Sequence, residues 1–224
     1  MRALLVHAGV CDASMWDGFD VPGAERHELR GFGNTPMPES GSFSHADDLE
    51  AGMGAEAAAL VGASFGGQVC LEVAARSPEL VPALVLMDAP LPDHDWSREI
   101  LDYAEEEDRL LEEGDLDSVA DLNAAFWASA VADRVRPMQR RSLELQIASA
   151  AEDEEVERIE LGAIRCPTLV LVGEDDKQDF RAIAERLASE IAHAELVVIE
   201  GAAHLPALER PEETARLVRE FLAR

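Results

Sequence analysis

Five short aliphatic runs, almost unbroken by polar residues and each leading into a turn, constrain this chain more than any other feature. They are Ala3-Leu4-Leu5-Val6, Ala58-Ala59-Leu60-Val61, Ala83-Leu84-Val85-Leu86-Met87, Thr168-Leu169-Val170-Leu171-Val172 and Glu195-Leu196-Val197-Val198-Ile199. A strand with one wet face alternates apolar and polar residues. A run without alternation needs cover on both faces, which is the condition of a parallel sheet. Residues 25–29 fit as a weaker sixth strand. Helical spacing occupies 66–77, 179–192 and 211–223, the last opened by Pro211 with Glu212 and Glu213 in its first turn. The alternation predicts an α/β fold: a mostly parallel sheet of about six strands with helices on both faces.

Residues 91–164 break this rhythm. They hold no strand-like run but three helical stretches, 97–113, 116–130 and 136–149, which predicts a helical cap inserted over the sheet's C-terminal edge. The expected organisation is therefore a core of 1–90 and 165–224 with a cap of 91–164. The acidic run from Glu152 to Glu155 reads as a solvated connection.

Gly62-Ala63-Ser64-Phe65-Gly66 fits G-x-S-x-G, a sharp strand-to-helix turn that lifts a serine hydroxyl above a sheet. The pattern alone carries little weight in a chain with 15 glycines. It gains weight from the strand-like 58–61 before it and the helix-like 67–76 after it. Ser64 is thus the candidate nucleophile, and a serine hydroxyl needs a base to remove its proton during attack. Of the six histidines, His204 alone lies beyond every strand run, 140 residues from Ser64, and it is the candidate base. Glu174, Asp175 and Asp176 follow the strand 168–172. The fourth position of G-x-x-D favours Asp176 as the acid that orients the imidazole, with Asp175 as the alternative. Asp88, at the end of 83–87, is another possible position for the acid, but is read in preference as a turn or helix-cap aspartate. Backbone N–H groups of Phe65 and Gly9, or Val10 in place of Gly9, would supply the oxyanion hole, and His7 is read as a hydrogen-bonding residue of that loop.

The net charge of −27 argues against nucleic acid and anionic membranes as partners. The expected partner is a small-molecule ester or lactone, and the chain itself is expected to be monomeric or homodimeric. Cys11, Cys70 and Cys166 are too few and too scattered for a disulfide framework or a metal site, so no metal and no cofactor are expected. Without a signal-like start or a run long enough to span a membrane, the expected location is cytoplasmic. Trp96, Phe126 and Trp127 are candidate pocket residues from the cap, and Val10 and Leu205 from the core. Arg134, Arg136, Arg140 and Arg141 form the one basic cluster, read mainly as a solvated helix face. Cys11 reads as a small apolar filler.

Together these residues resemble the α/β-hydrolase superfamily, in its small, capped esterase, lactonase and C–C hydrolase branch, with 3-oxoadipate enol-lactonase-like proteins the nearest resemblance. Val6-His7-Ala8-Gly9 is similar to that family's H-G oxyanion motif, with Ala8 replacing a glycine. Leu29-Arg30-Gly31-Phe32-Gly33-Asn34-Thr35-Pro36 resembles its D-x-R-G-x-G-x-S-x-P segment, with Glu28 where Asp is commoner. The resemblance spans nearly all of the chain outside 91–164. It implies hydrolysis of a small carboxylic ester or lactone through an acyl-enzyme. C–C bond hydrolysis or perhydrolysis with the same triad, and non-catalytic ligand binding on the same fold, are the alternatives. Two departures stand out: the family's N-terminal hairpin is expected to be absent, and 11–25 and 46–57 are short enough to have become stubs or loops.

Overall fold

Successive residues of each central strand enter different hydrophobic cores. Leu4, Val6, Leu60, Leu84, Leu86, Val170 and Val172 pack into one, and Ala3, Leu5, Val61, Val85, Met87, Leu169 and Leu171 into the other. That division is why the runs do not alternate with polar residues: both pleat faces are covered. The computed structural model describes residues 2–154 and 156–224, so Glu155 of the acidic run lies outside it.

In chain order the elements are β1 (Ala3–Val6), β2 (Ala24–His27), β3 (Ser40–Phe43), α1 (His45–Met53), β4 (Ala59–Ala63), α2 (Phe65–Arg76), β5 (Leu84–Met87), α3 (Arg98–Glu113), α4 (Leu116–Trp127), α5 (Ala132–Ile147), β6 (Ala150–Asp153), β7 (Thr168–Gly173), α6 (Gln178–Glu190), β8 (Ala194–Ile199), α7 (Pro206–Glu209) and α8 (Pro211–Leu222). The main sheet has six strands in the order β2-β1-β4-β5-β7-β8, with every neighbouring pair parallel. Helices α1, α2 and α6 cover one face through Leu49, Val69 and Ile183. On the other face lie Met15 and Trp16 of a 3-10 turn, Val135 and Met138 of α5, and Val218 and Phe221 of α8.

Helices α3, α4 and α5 fall between β5 and β7 and hold their own small cluster of Leu110, Val119, Ala120 and Leu143. Two expectations need correction. Residues 91–164 do contain a strand: β6 pairs in parallel with β3, from Ser40 opposite Ala150 to Phe43 opposite Asp153. Ala-Ala-Glu-Asp has no β-branched or aromatic residue, so only its partner makes it a strand. The stretch 46–57 is not a stub either; α1 runs nine residues, capped by the Ser44 side chain accepting from Asp47 N–H.

Candidate active site

Ser64 stands between β4 and α2 with φ of 47°. This region costs a non-glycine residue about 1–3 kcal/mol, and the surroundings hold the turn in place. Ser64 N–H donates to Met87 O on the neighbouring strand at 2.7 Å. A Cβ on Gly66 would collide with the carbonyl of His7, and one on Gly62 with the backbone of Gly66. The glycines are therefore demanded by close approach, and that approach sets the elbow against the loop after β1.

His204 lies in the loop after β8, 4% exposed. Its Nε2 is 2.9 Å from Ser64 Oγ, and its Nδ1 is 3.0 and 3.2 Å from the two carboxylate oxygens of Asp176. These contacts define the tautomer: Nδ1–H donates to Asp176 and Nε2 accepts from the serine hydroxyl. Asp176 is 5% exposed. Burial pushes its carboxyl up, but the imidazole charge and hydrogen bond of His204, with the Lys177 N–H, hold it below the usual carboxylate range. Asp175 points to solvent and its N–H donates to Ala202 O.

The two loops bearing acid and base are fastened to each other. Gly173 N–H donates to Asp88 Oδ1 at 3.0 Å, and a Cβ on Gly173 would strike the carbonyl of Ala203. Glu209, at the end of α7, accepts from the N–H groups of Ala203 (2.7 Å) and Leu205 (3.1 Å), the residues on either side of His204. A carboxylate gripping two flanking amides fixes the backbone that carries the imidazole.

Phe65 is the first residue of α2, so its N–H is among those a helix leaves unpaired. Gly9 packs beside it, since a Cβ there would lie 3.3 Å from Phe65 Cβ. A turn closed by Cys11 N–H to Ala8 O (3.0 Å) puts Gly9 and Val10 at its two central positions. His7 accepts from Leu29 N–H at Nε2 (3.1 Å) and donates from Nδ1 to Ala8 O (2.9 Å), fixing that loop from beneath. Cys11 is fully buried and burial pushes its thiol far up, which removes it as a second nucleophile.

The structure distributes the pocket candidates unevenly. Trp127 lies against His204, ring centroids 4.7 Å apart, while Leu205 is buried in the core. Phe126 stacks on Tyr103 at 4.3 Å and carries Lys177 Nζ over its other side at 4.0 Å. Trp96 packs on His94 and Phe180 and lines a cavity of about 430 Å³ that shares Phe65, His45 and Glu72 but includes neither Ser64 nor His204. Phe180, edge-on to His204 at 4.4 Å, was not singled out by the sequence; it reads there as one more apolar position of α6. The arginines of α5 are engaged: Arg136 and Arg140 pair with Asp117, Asp121 and Glu144, Arg141 pairs with Glu144, and Arg134 donates to the carbonyls of Ser14, Met15 and Asp17.

Comparison with known proteins bears on this arrangement. Residues 3–217 match the model of the alpha/beta hydrolase family. A 2-hydroxymuconate semialdehyde hydrolase of Pseudomonas putida is 28% identical over 220 residues, covering 88% of this chain and 75% of that protein. Among solved structures, a thermophilic esterase from Thermogutta terrifontis superposes with a TM-score of 0.79 at 26% identity, covering 100% of this chain and 89% of the esterase. The enol-lactonase from Burkholderia xenovorans also gives 0.79, at 21% identity over 100% of this chain and 91% of its own, a likeness of fold alone.

Proposed function

Because the chain belongs to the alpha/beta hydrolase family, we propose that it is a serine-dependent hydrolase of small carboxylic esters or lactones, with Ser64, His204 and Asp176 as its triad. One observation carries the reading: the continuous path Asp176–His204–Ser64, with contacts of 3.0 and 2.9 Å, joining three loops far apart in sequence. Ser64 Oγ attacks the acyl carbonyl while His204 Nε2 takes its proton, and Asp176 stabilises the imidazolium. Gly9 and Phe65 N–H groups receive the developing oxyanion. Collapse expels the alcohol with the proton from His204. Water, deprotonated by the same imidazole, then hydrolyses the acyl-enzyme and regenerates Ser64.

Residues 91–164 serve as a cap whose Trp127 roofs the imidazole. With the cap arginines paired or engaged and a net charge of −27, a neutral acyl substrate fits better than an anionic one. Three buried free cysteines suit a cytoplasmic setting, and no described helix is long and apolar enough to cross a membrane. The test is a screen of short-chain p-nitrophenyl esters and simple lactones against wild type and Ser64→Ala. Turnover is expected in wild type, with a loss of about 10⁴-fold or more in Ser64→Ala. Turnover that survives the substitution contradicts the reading. The semialdehyde named for the Pseudomonas putida relative belongs in the same screen, because that relative covers most of the chain.

A further inference from the structure

Behind the triad sits a second carboxyl that the proposed mechanism does not use. Asp88 follows β5, is 2% exposed, and holds a φ of 48°. Its Oδ1 accepts from Gly173 N–H at 3.0 Å, while its Oδ2 is buried and no donor among the described residues reaches it. One carboxyl oxygen of Asp88, one of Asp176 and a ring nitrogen of His204 lie within 4.8 Å of one another. Two ionised carboxylates this close in a buried site repel strongly, and a shared proton removes the conflict. A proton on Oδ2 also turns its lack of a donor partner into a bond, directed at Asp176.

On this geometry, and resting on the triad reading above, we propose that Asp88 is a positioning residue: a neutral carboxylic acid that donates a hydrogen bond from Oδ2 to Asp176. Asp88 then holds the carboxylate that holds His204, while its other oxygen ties the strand end to Gly173 beneath the acid loop. The surroundings favour the neutral form. Burial raises the Asp88 carboxyl well above the usual carboxylate range, and the charge of Asp176 adds to this. The ionisable groups facing it are Asp176 from the loop after β7, His204 from the loop after β8 and, farther off, Glu209 of α7; two of these three are acids. The Gly173 N–H is the one opposing influence, favouring the ionised form.

Asp88→Asn separates the possibilities, because an amide reproduces the proposed acid: its oxygen accepts from Gly173 and its N–H donates to Asp176. Asparagine also tolerates positive φ. Asp88→Gly removes both bonds without straining the backbone. Infrared difference spectra of wild type and Asp88→Asn at pH 7 are expected to show the carbonyl stretch of a protonated carboxylic acid in wild type alone. This readout does not depend on turnover, so it stands apart from any failure of the hydrolase reading. Asp88→Asn should keep kcat within about threefold, with the pH profile of kcat/KM unmoved, whereas Asp88→Gly should lose about 10- to 100-fold in kcat at unchanged KM. A missing acid band overturns the proposal. So does an Asn variant as impaired as Gly, or an acid limb that moves to lower pH in Asp88→Asn, the sign of a lost negative charge beside His204. Inactivation of wild type by a chelator also overturns it, by assigning the trio to a cation. If Asp88→Gly does not fold, the band and the Asn profile still decide.

Discussion

Asp175 and Asp176 are neighbours in sequence and opposites in environment. The turn after β7, in which Asp176 N–H donates to Gly173 O at 3.2 Å, swings Asp176 inward against His204 and leaves Asp175 in solvent. Asp176→Asn is expected to lower kcat by about 10³- to 10⁴-fold, through the wrong imidazole tautomer, while Asp175→Asn stays within about twofold. Steady-state kinetics on one good ester checks both. The spacing G-x-x-D pointed to Asp176 because the turn is local, and Ser64 was legible because strand, elbow and helix are contiguous. Asp88 was not legible in its role. Its neighbour Asp176 is 88 positions away by chain and adjacent only through the β5–β7 pairing, so it read as a turn aspartate. Phe126 and Trp127 looked equivalent in sequence; both pack on Tyr103, yet Trp127 also reaches His204. The rotation of a helix about its axis is decided by packing.

At the scale of elements, the regular sheet was legible and the junction of β3, β6 and α1 was not. Five of the six main-sheet strands are legible as aliphatic runs, whereas the edge strand β2 is Ala-Glu-Arg-His and largely uncovered; β3 and β6 lack such runs too and become strands only by pairing across 110 residues of chain. The same junction buries His45 at the start of α1, edge-on to Phe43 and Phe65 and 3.8 Å from Asp153. Burial pushes its imidazole from 6.5 down to about 4, against a smaller upward pull from Asp48. In this window the unfolded chain binds the proton and the folded one does not. The stability His45 contributes is thus fully present above about pH 6.5 and drains away as pH falls toward 4. Between pH 7 and pH 5 the loss amounts to about 2 kcal/mol. Urea unfolding at the two values should show His45→Phe losing less stability than wild type by about that amount. Equal losses would mean that His45 is protonated in the folded protein.

For the whole molecule the governing quantity is charge. The chain carries 46 acidic residues against 19 Lys and Arg. Most of its ion pairs, such as Arg109 with Glu106 and Glu113 or Arg216 with Glu220, are exposed. Exposed pairs contribute about 0–1 kcal/mol each, whereas the excess of carboxylates repels across the entire surface and is screened over about 10 Å at 0.1 M salt. Screening the repulsion should outweigh weakening the pairs, so Tm is expected to rise by several degrees between about 10 mM and 500 mM NaCl. A falling Tm would show that the ion pairs dominate instead.

The central claim is that Asp176, His204 and Ser64 make one serine of this chain a nucleophile. The most direct measurement is intact-mass and peptide analysis of folded protein treated with a fluorophosphonate, which reacts with an activated serine hydroxyl. A single adduct is expected at Ser64, absent in Ser64→Ala and formed at least about a hundredfold more slowly in His204→Ala. No adduct on the folded protein, or one at another residue, would contradict it.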